Sequence, residues 1–155
     1  MKIQRVYVDT SVIGGCLDDE FSLWSKGLFE DFRKGNYKAV ISEITEAEIQ
    51  TAPEPVRNLL DELLALKSEK LLLTDEAIQL SDIYLKRQIV THKFQSDALH
   101  IALATISESD VLVSWNFKHI VHLDKIRQFN AVNMEKGYRA LQIYSPREVT
   151  KYGRD

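Results

Sequence analysis

The sequence predicts an α/β protein in which helices cover both faces of a parallel sheet. Three observations predict it. Short apolar runs alternate along the chain with helical stretches, and helices of about 10–15 residues between strands are the crossovers that parallel pairing needs. Several runs, "VLV" and "LLL" among them, are apolar without a break, as strands buried on both faces should be. The length of 155 residues fits one domain over residues 1–155 with a proper core.

"KIQRVYV" reads as the first strand, rich in β-branched and aromatic residues. "DEFSLWSKGLFEDFRKG" places Phe21, Leu23, Trp24, Leu28, Phe29 and Phe32 at helical spacing, and Gly35 stops it. "YKAVIS" is a second strand, and Ser42 caps the helix "SEITEAEIQTA" before Pro53 breaks it. "EPVRNLLDELLALK" is amphipathic; "KLLLT" is a third strand; Thr74 caps "DEAIQLSDIYLKRQIV". "SDALHIALATISES" is an Ala-rich helix built for close packing, and "DVLVSW" is the fourth strand. The polar helix "LDKIRQFNAVNMEKGY" leads to the short final strand "LQIYS". No repeat, linker or low-complexity segment interrupts the order.

Composition narrows the class. Hydrophobic residues make up 45% and charged residues 28%, ordinary values for a globular chain. No apolar run approaches the roughly 20 residues that span a bilayer, and "MKIQRVYV" lacks a signal-peptide pattern. A cytoplasmic protein without a membrane partner is expected. A single cysteine, Cys16, excludes an intrachain disulfide and a Cys-based zinc site; an inert core thiol is expected. The net charge of −3 is unlike the basic surplus of most nucleic-acid binders. Any such surface must be a local patch, or metal ions must supply the charge. Lys86, Arg87, His92 and Lys93 form one basic cluster, and Lys118, His119 and His122 another. Each is either a solvated helix face or part of such a patch.

Polar residues, most of them carboxylates, sit where the strands end. Asp9 follows the first strand, Glu43, Glu46 and Glu48 follow the second, Asp97 opens the Ala-rich helix, and Asn116 follows the fourth strand. Helix starts and strand ends share one edge of a parallel sheet, and ligands bind there. Carboxylates about 4 Å apart repel by about 4 kcal/mol per pair at an effective dielectric near 20. Such a cluster needs shared protons or a cation, and oxygen-only ligands favour Mg²⁺ or Mn²⁺ over zinc. The matching chemistry is phosphodiester hydrolysis.

Each residue also has a plainer reading. Asp9 either caps the turn at Thr10-Ser11 or walls a site, and Asp97 either complements a helix dipole or joins Asp9. Glu43 and Glu46 read as surface charges, while Glu48 borders an apolar stripe with Ile44 and Ile49. His100, one turn after Asp97, either packs, meets solvent or faces the site. Trp115 either packs or stacks on a base.

Taken together, these residues resemble the PIN domain, a metal-dependent nuclease family that includes VapC-like ribonucleases. "VYVDTSVI" is similar to the family's first motif, "ISEITEAEI" to the second, "SDALHIALA" to the third, and "VLVSWNFKHI" occupies the fourth. The resemblance implies a PIN-like three-layer α/β/α sandwich, often dimeric. It implies catalytic residues Asp9, Glu48, Asp97 and Asn116, with Mg²⁺ or Mn²⁺ held by Asp9 and Asp97 and Ser11 orienting Asp9. It also implies an RNA substrate, a homodimer and an antitoxin protein as partner. Asn116 stands where the family has its last Asp, and offers a neutral carbonyl oxygen without charge. Asp110 lies at the opposite strand end and does not replace it.

Other enzyme classes fit less well. Phosphoaspartate enzymes of the haloacid dehalogenase type need a second Asp two residues after the first; here that place is Ser11. Neither G-x-G-x-x-G nor G-x-x-x-x-G-K-[ST] is present. The alternative to a ribonuclease is a catalytically weak or inactive module of this fold that binds RNA or a protein, a reading that Asn116 favours.

Overall fold

The computed structural model describes residues 2–152; Met1 and residues 153–155 of the expected domain lie outside the described residues. Five strands run in chain order: β1 (Gln4–Val8), β2 (Tyr37–Ser42), β3 (Glu69–Leu71), β4 (Val111–Val113) and β5 (Gln142–Tyr144). Their order across the sheet is β3-β2-β1-β4-β5, and every pairing is parallel. Val6 sits between Ala39 and Val111, which places β1 at the centre. The helices are α1 (Thr10–Gly15), α2 (Ser22–Arg33), α3 (Glu43–Ile49), α4 (Glu54–Ala65), α5 (Asp75–Lys86), α6 (Gln95–Ile106), α7 (Leu123–Glu135) and α8 (Pro146–Val149).

The strand period of two divides the apolar side chains between two cores. Val6, Val8, Ala39, Ile41 and Val113 pack on one face with Val12, Ile13, Leu28, Phe29, Ile49 and Leu63 of α1 to α4. Tyr7, Val40, Leu112 and Ile143 pack on the other with Leu80, Tyr84, Ile101, Ala102, Phe129 and Val132 of α5 to α7. The three layers are those that the alternation of strands and helices predicts.

The chain winds from β1 out to β3, then returns to β4 on the other side of β1. The order therefore reverses between β1 and β4, and their C-terminal ends flank a crevice there. In open α/β sheets that crevice is where ligands bind. Asp9 immediately follows β1, and Ser114, Trp115 and Asn116 immediately follow β4.

Several local features differ from expectation. "TSVIGG" forms α1 although its two glycines favour a turn, because Val12 and Ile13 bury completely. β3 ends at Leu71; Leu72 turns out to 62% exposure, and the Leu73 N–H donates to Glu43 Oε2 at 2.6 Å. α5 stops at Lys86 because Gln88 takes a left-handed φ of 60° and the Ile89 N–H closes back on Tyr84. A 3-10 turn over His92–Phe94 then leads into α6. The caps of α3 and α5 are as the sequence predicts: the Ser42 and Thr74 hydroxyls accept from the Thr45 and Ala77 N–H groups.

Candidate functional site

Asp9 is the N-cap residue of α1, with extended backbone, yet its side chain makes no capping bond. The carboxylate instead turns across the sheet edge. Its Oδ2 accepts from Ser11 Oγ at 2.8 Å and from Ser114 Oγ at 2.6 Å. Ser11 Oγ also accepts the Trp115 N–H at 2.9 Å, and Ser114 Oγ the Asn116 N–H at 2.9 Å. Two hydroxyls thus fix Asp9 and lock the end of β1 to the chain leaving β4. Asp9 Oδ1 lies 3.3 Å from Nε2 of His100.

His100 is fully buried. Nδ1 meets the Tyr7 hydroxyl at 2.7 Å, and that hydroxyl meets Ser42 Oγ at 2.7 Å. Nε2 lies 2.5 Å from Glu48 Oε1, which also accepts from Thr10 Oγ1 at 2.9 Å. Burial alone would lower the His100 pKa, but the Asp9 and Glu48 carboxylates outweigh it and raise the value. Burial likewise pushes Glu48 up, and the hydrogen bond and charge of His100 bring it below the usual range. The two shifts agree on an imidazolium–carboxylate pair. Burial pushes the neighbouring Tyr7 phenol far up, so it stays neutral.

Asp97 stands in the first turn of α6, half-buried. Burial and the charge of Asp9 push its carboxyl up to about 6. Its Oδ2 accepts from Asn116 Nδ2 at 3.2 Å. The Asn116 side-chain oxygen accepts two backbone N–H groups, Lys118 at 3.2 Å and His119 at 2.9 Å. Those bonds fix which way the amide points. Asn116 therefore presents donors, not an oxygen, to Asp97.

The sheet edge thus brings Asp9, Ser11, Glu48, Asp97 and Asn116 together. Glu43 bonds the Leu73 N–H and Glu46 pairs with Lys70 at 3.2 Å, away from this cluster. Asp110 accepts the Arg5 N–H at the opposite sheet end. Cys16 is buried, and desolvation raises its thiol to about 11.

The Asp9 charge raises the proton affinity of Asp97, and two such carboxylates form a set that suits a hard dication. Among the described residues no three His, Cys, Asp or Glu side chains form a ready-made metal cage, because Glu48 is turned to His100 and Thr10. Mg²⁺ does not require one: it is held by one or two carboxylates, water and substrate phosphate. Asp9 and Asp97 fit that role.

Two residues here carry more than the sequence indicated. His100 turns out to bridge Glu48 and Asp9; its place one turn after Asp97 was the available signal. Ser114 had only its position at a strand end. The basic clusters also meet: the His119 ring lies on Phe94 at 3.9 Å, joining the Lys93 turn to the Lys118 loop beside Asp97 and Asn116. Desolvation, Lys118 and Lys125 hold the His119 pKa down. Arg87 pairs with Glu135 instead.

No family model matches the chain, and no curated protein does. Solved structures do. The chain is similar to a crystal structure of VapBC2 from Rickettsia felis bound to a DNA fragment from their promoter, at 16% identity and TM-score 0.58, covering 92% of this chain and 98% of that one. It is similar to FitAcB from Neisseria gonorrhoeae at 15% identity and TM-score 0.59, covering 93% and 99%. At such identity the likeness establishes a shared fold. Membership in the PIN family as a VapC-like ribonuclease, expected from the motifs, is therefore corrected: no family model matches, and the neighbours carry the fold alone. Among the described residues no helix is long and apolar enough to cross a membrane.

Proposed function

We propose that the protein is a metal-dependent endoribonuclease and one member of a toxin–antitoxin pair. The observation that carries the nuclease reading is the opposed pair Asp9 and Asp97, an all-oxygen set at the β1/β4 switch point. Asp9 and Asp97 would hold Mg²⁺ or Mn²⁺. A divalent cation there supplies charge to phosphoryl oxygens and an activated water. Ser11 and Ser114 hold Asp9 Oδ2, and Oδ1, 3.3 Å from His100 Nε2, is the oxygen that would take the cation. His100 offsets the Glu48 charge, so Glu48 walls the site without competing strongly for the cation. Lys93 and Lys118 are exposed beside Asp97 and Asn116 and attract a phosphate backbone despite the net charge of −3. The fold shared with VapBC2 and FitAcB over more than nine-tenths of the chain supports the pairing with a protein partner.

The test is cleavage of mixed single-stranded RNA in Mg²⁺ or Mn²⁺, with single-stranded DNA as a parallel arm. Wild type is expected to cut RNA, and Asp9→Asn and Asp97→Asn to lose at least 100-fold in rate. Equal cleavage by wild type and Asp9→Asn overturns the mechanism. A second reading, a binding module with little catalysis, draws on Asn116, whose oxygen serves the backbone. Under it the protein binds RNA and cuts none at millimolar Mn²⁺.

A further inference from the structure

A cleft of about 590 Å³ opens beside the acidic edge, walled by Phe21, Trp24, Trp115 and Phe117, with Arg147 beside Glu20 and Glu148 in its lining. Trp115 is fixed within it. Its ring stacks on Phe21 at 4.2 Å and 16°, its Nε1 donates to Ser25 Oγ at 2.9 Å, and only 8% of it is exposed. Phe117 is 49% exposed, with its ring 6.1 Å from Trp115 and 6.4 Å from Phe21. The Arg147 guanidinium lies 5.0 Å over Trp24. One residue links the cleft to the site: the Trp115 N–H donates to Ser11 Oγ, which donates to Asp9.

We propose that this cleft is a stacking subsite for an unpaired base of single-stranded RNA, next to the phosphodiester presented to Asp9 and Asp97. The proposal rests on the reading of the protein as acting on RNA. Rigid aromatic walls suit the flat face of any base, and stacking of this kind tolerates sequence. Arg147 is the cation of a lining that also carries Glu20 and Glu148, and is the group that would meet the adjoining phosphate. Duplex bases are already stacked and cannot enter, so single strands are selected.

The experiment is binding in EDTA, which separates it from cleavage. Eight-nucleotide oligo(A), an abasic ribose-phosphate oligomer of equal length and a duplex are titrated, read by fluorescence anisotropy and by quenching of Trp24 and Trp115. Oligo(A) is expected to bind tightest and to quench. Phe117→Ala is expected to weaken it by roughly 5- to 100-fold, with circular dichroism unchanged, and Phe117→Tyr to restore it. Unchanged affinity in Phe117→Ala overturns the proposal, as does an abasic oligomer that binds as well as oligo(A). So does a dimer that Phe117→Ala converts to monomer in sedimentation, because a second copy then covers the cleft. Binding that depends on Phe117 in a protein that cuts nothing leaves the subsite standing and removes the nuclease reading. Cleavage indifferent to Phe117 does the reverse.

Discussion

Asn116 donates its side-chain N–H to Asp97 at 3.2 Å while its oxygen is spent on the Lys118 and His119 amides. An aspartate in its place keeps the backbone bonds and turns a second carboxylate oxygen on Asp97. In metal-free buffer Asn116→Asp is therefore expected to melt lower than wild type, and with Mn²⁺ to bind more tightly. Thermal melts with and without EDTA and a Mn²⁺ titration check both; equal affinity would mean position 116 faces away from the ion.

Ser114 is buried, and its hydroxyl serves Asp9 and the Asn116 N–H together. Ser114→Ala leaves a buried carboxylate short of a donor and a backbone amide short of an acceptor. A loss of about 1.5–3 kcal/mol in stability is expected, from hydrogen bonds that involve a charged group. Metal affinity should fall about 10–100-fold, as when other orienting partners are removed. Chemical denaturation and calorimetric titration measure the two.

The Asp9 and Glu48 carboxylates hold the His100 pKa above the ordinary histidine value of 6.5 despite its burial. The folded protein thus keeps a proton that the unfolded chain releases. Its stabilising contribution is complete below about pH 6.5 and is lost as pH rises through the folded value. Asp97 shifts from 3.8 to about 6, so the folded state again binds the proton more tightly, and stability declines between those values. In EDTA the melting temperature should carry a falling component with pH in both windows. Asp97→Asn should remove the lower component and His100→Gln the upper, as read from melts at half-unit pH steps.

A Cβ on Gly15 would lie 2.6 Å from Ser25 Oγ and 2.7 Å from Trp115 Nε1. Neither neighbour is free to move, because each is the other's hydrogen-bond partner. Gly15→Ala should cost about 1–3 kcal/mol by overpacking and shift the tryptophan emission. A melt and an emission spectrum on one sample suffice.

The layers were legible in the sequence because both faces of each central strand had to be apolar, and "VYV", "AVI" and "VLV" are. The acidic edge was legible because strand ends and helix starts must share an edge. α1 was not, since Gly14 and Gly15 argue locally for a turn while burial of Val12 and Ile13 is a tertiary effect. α8 carries a local signal, since Ser145-Pro-Arg-Glu is a capping sequence and the Ser145 N–H donates to Glu148 at 3.0 Å. The bridge made by His100 had only its place one turn after Asp97, because it depends on Glu48 and Asp9, both distant in sequence, and the Asn116 amide is turned by its own local bonds to the Lys118 and His119 N–H groups.

Val6 pairs with Val111, and the Asp9 N–H closes on the Val113 carbonyl. The partners of Asp9 and Asp97 therefore come from both ends of a long loop that must close before the edge exists, and closure of such a loop is slow and late. During synthesis the N-terminal segment emerges with Asp9 long before Ser114 and Asn116 do. A ribosome-bound chain shorter than about 116 residues carries the carboxylates without the cleft between them. The acidic edge is whole only once β1 and β4 have paired.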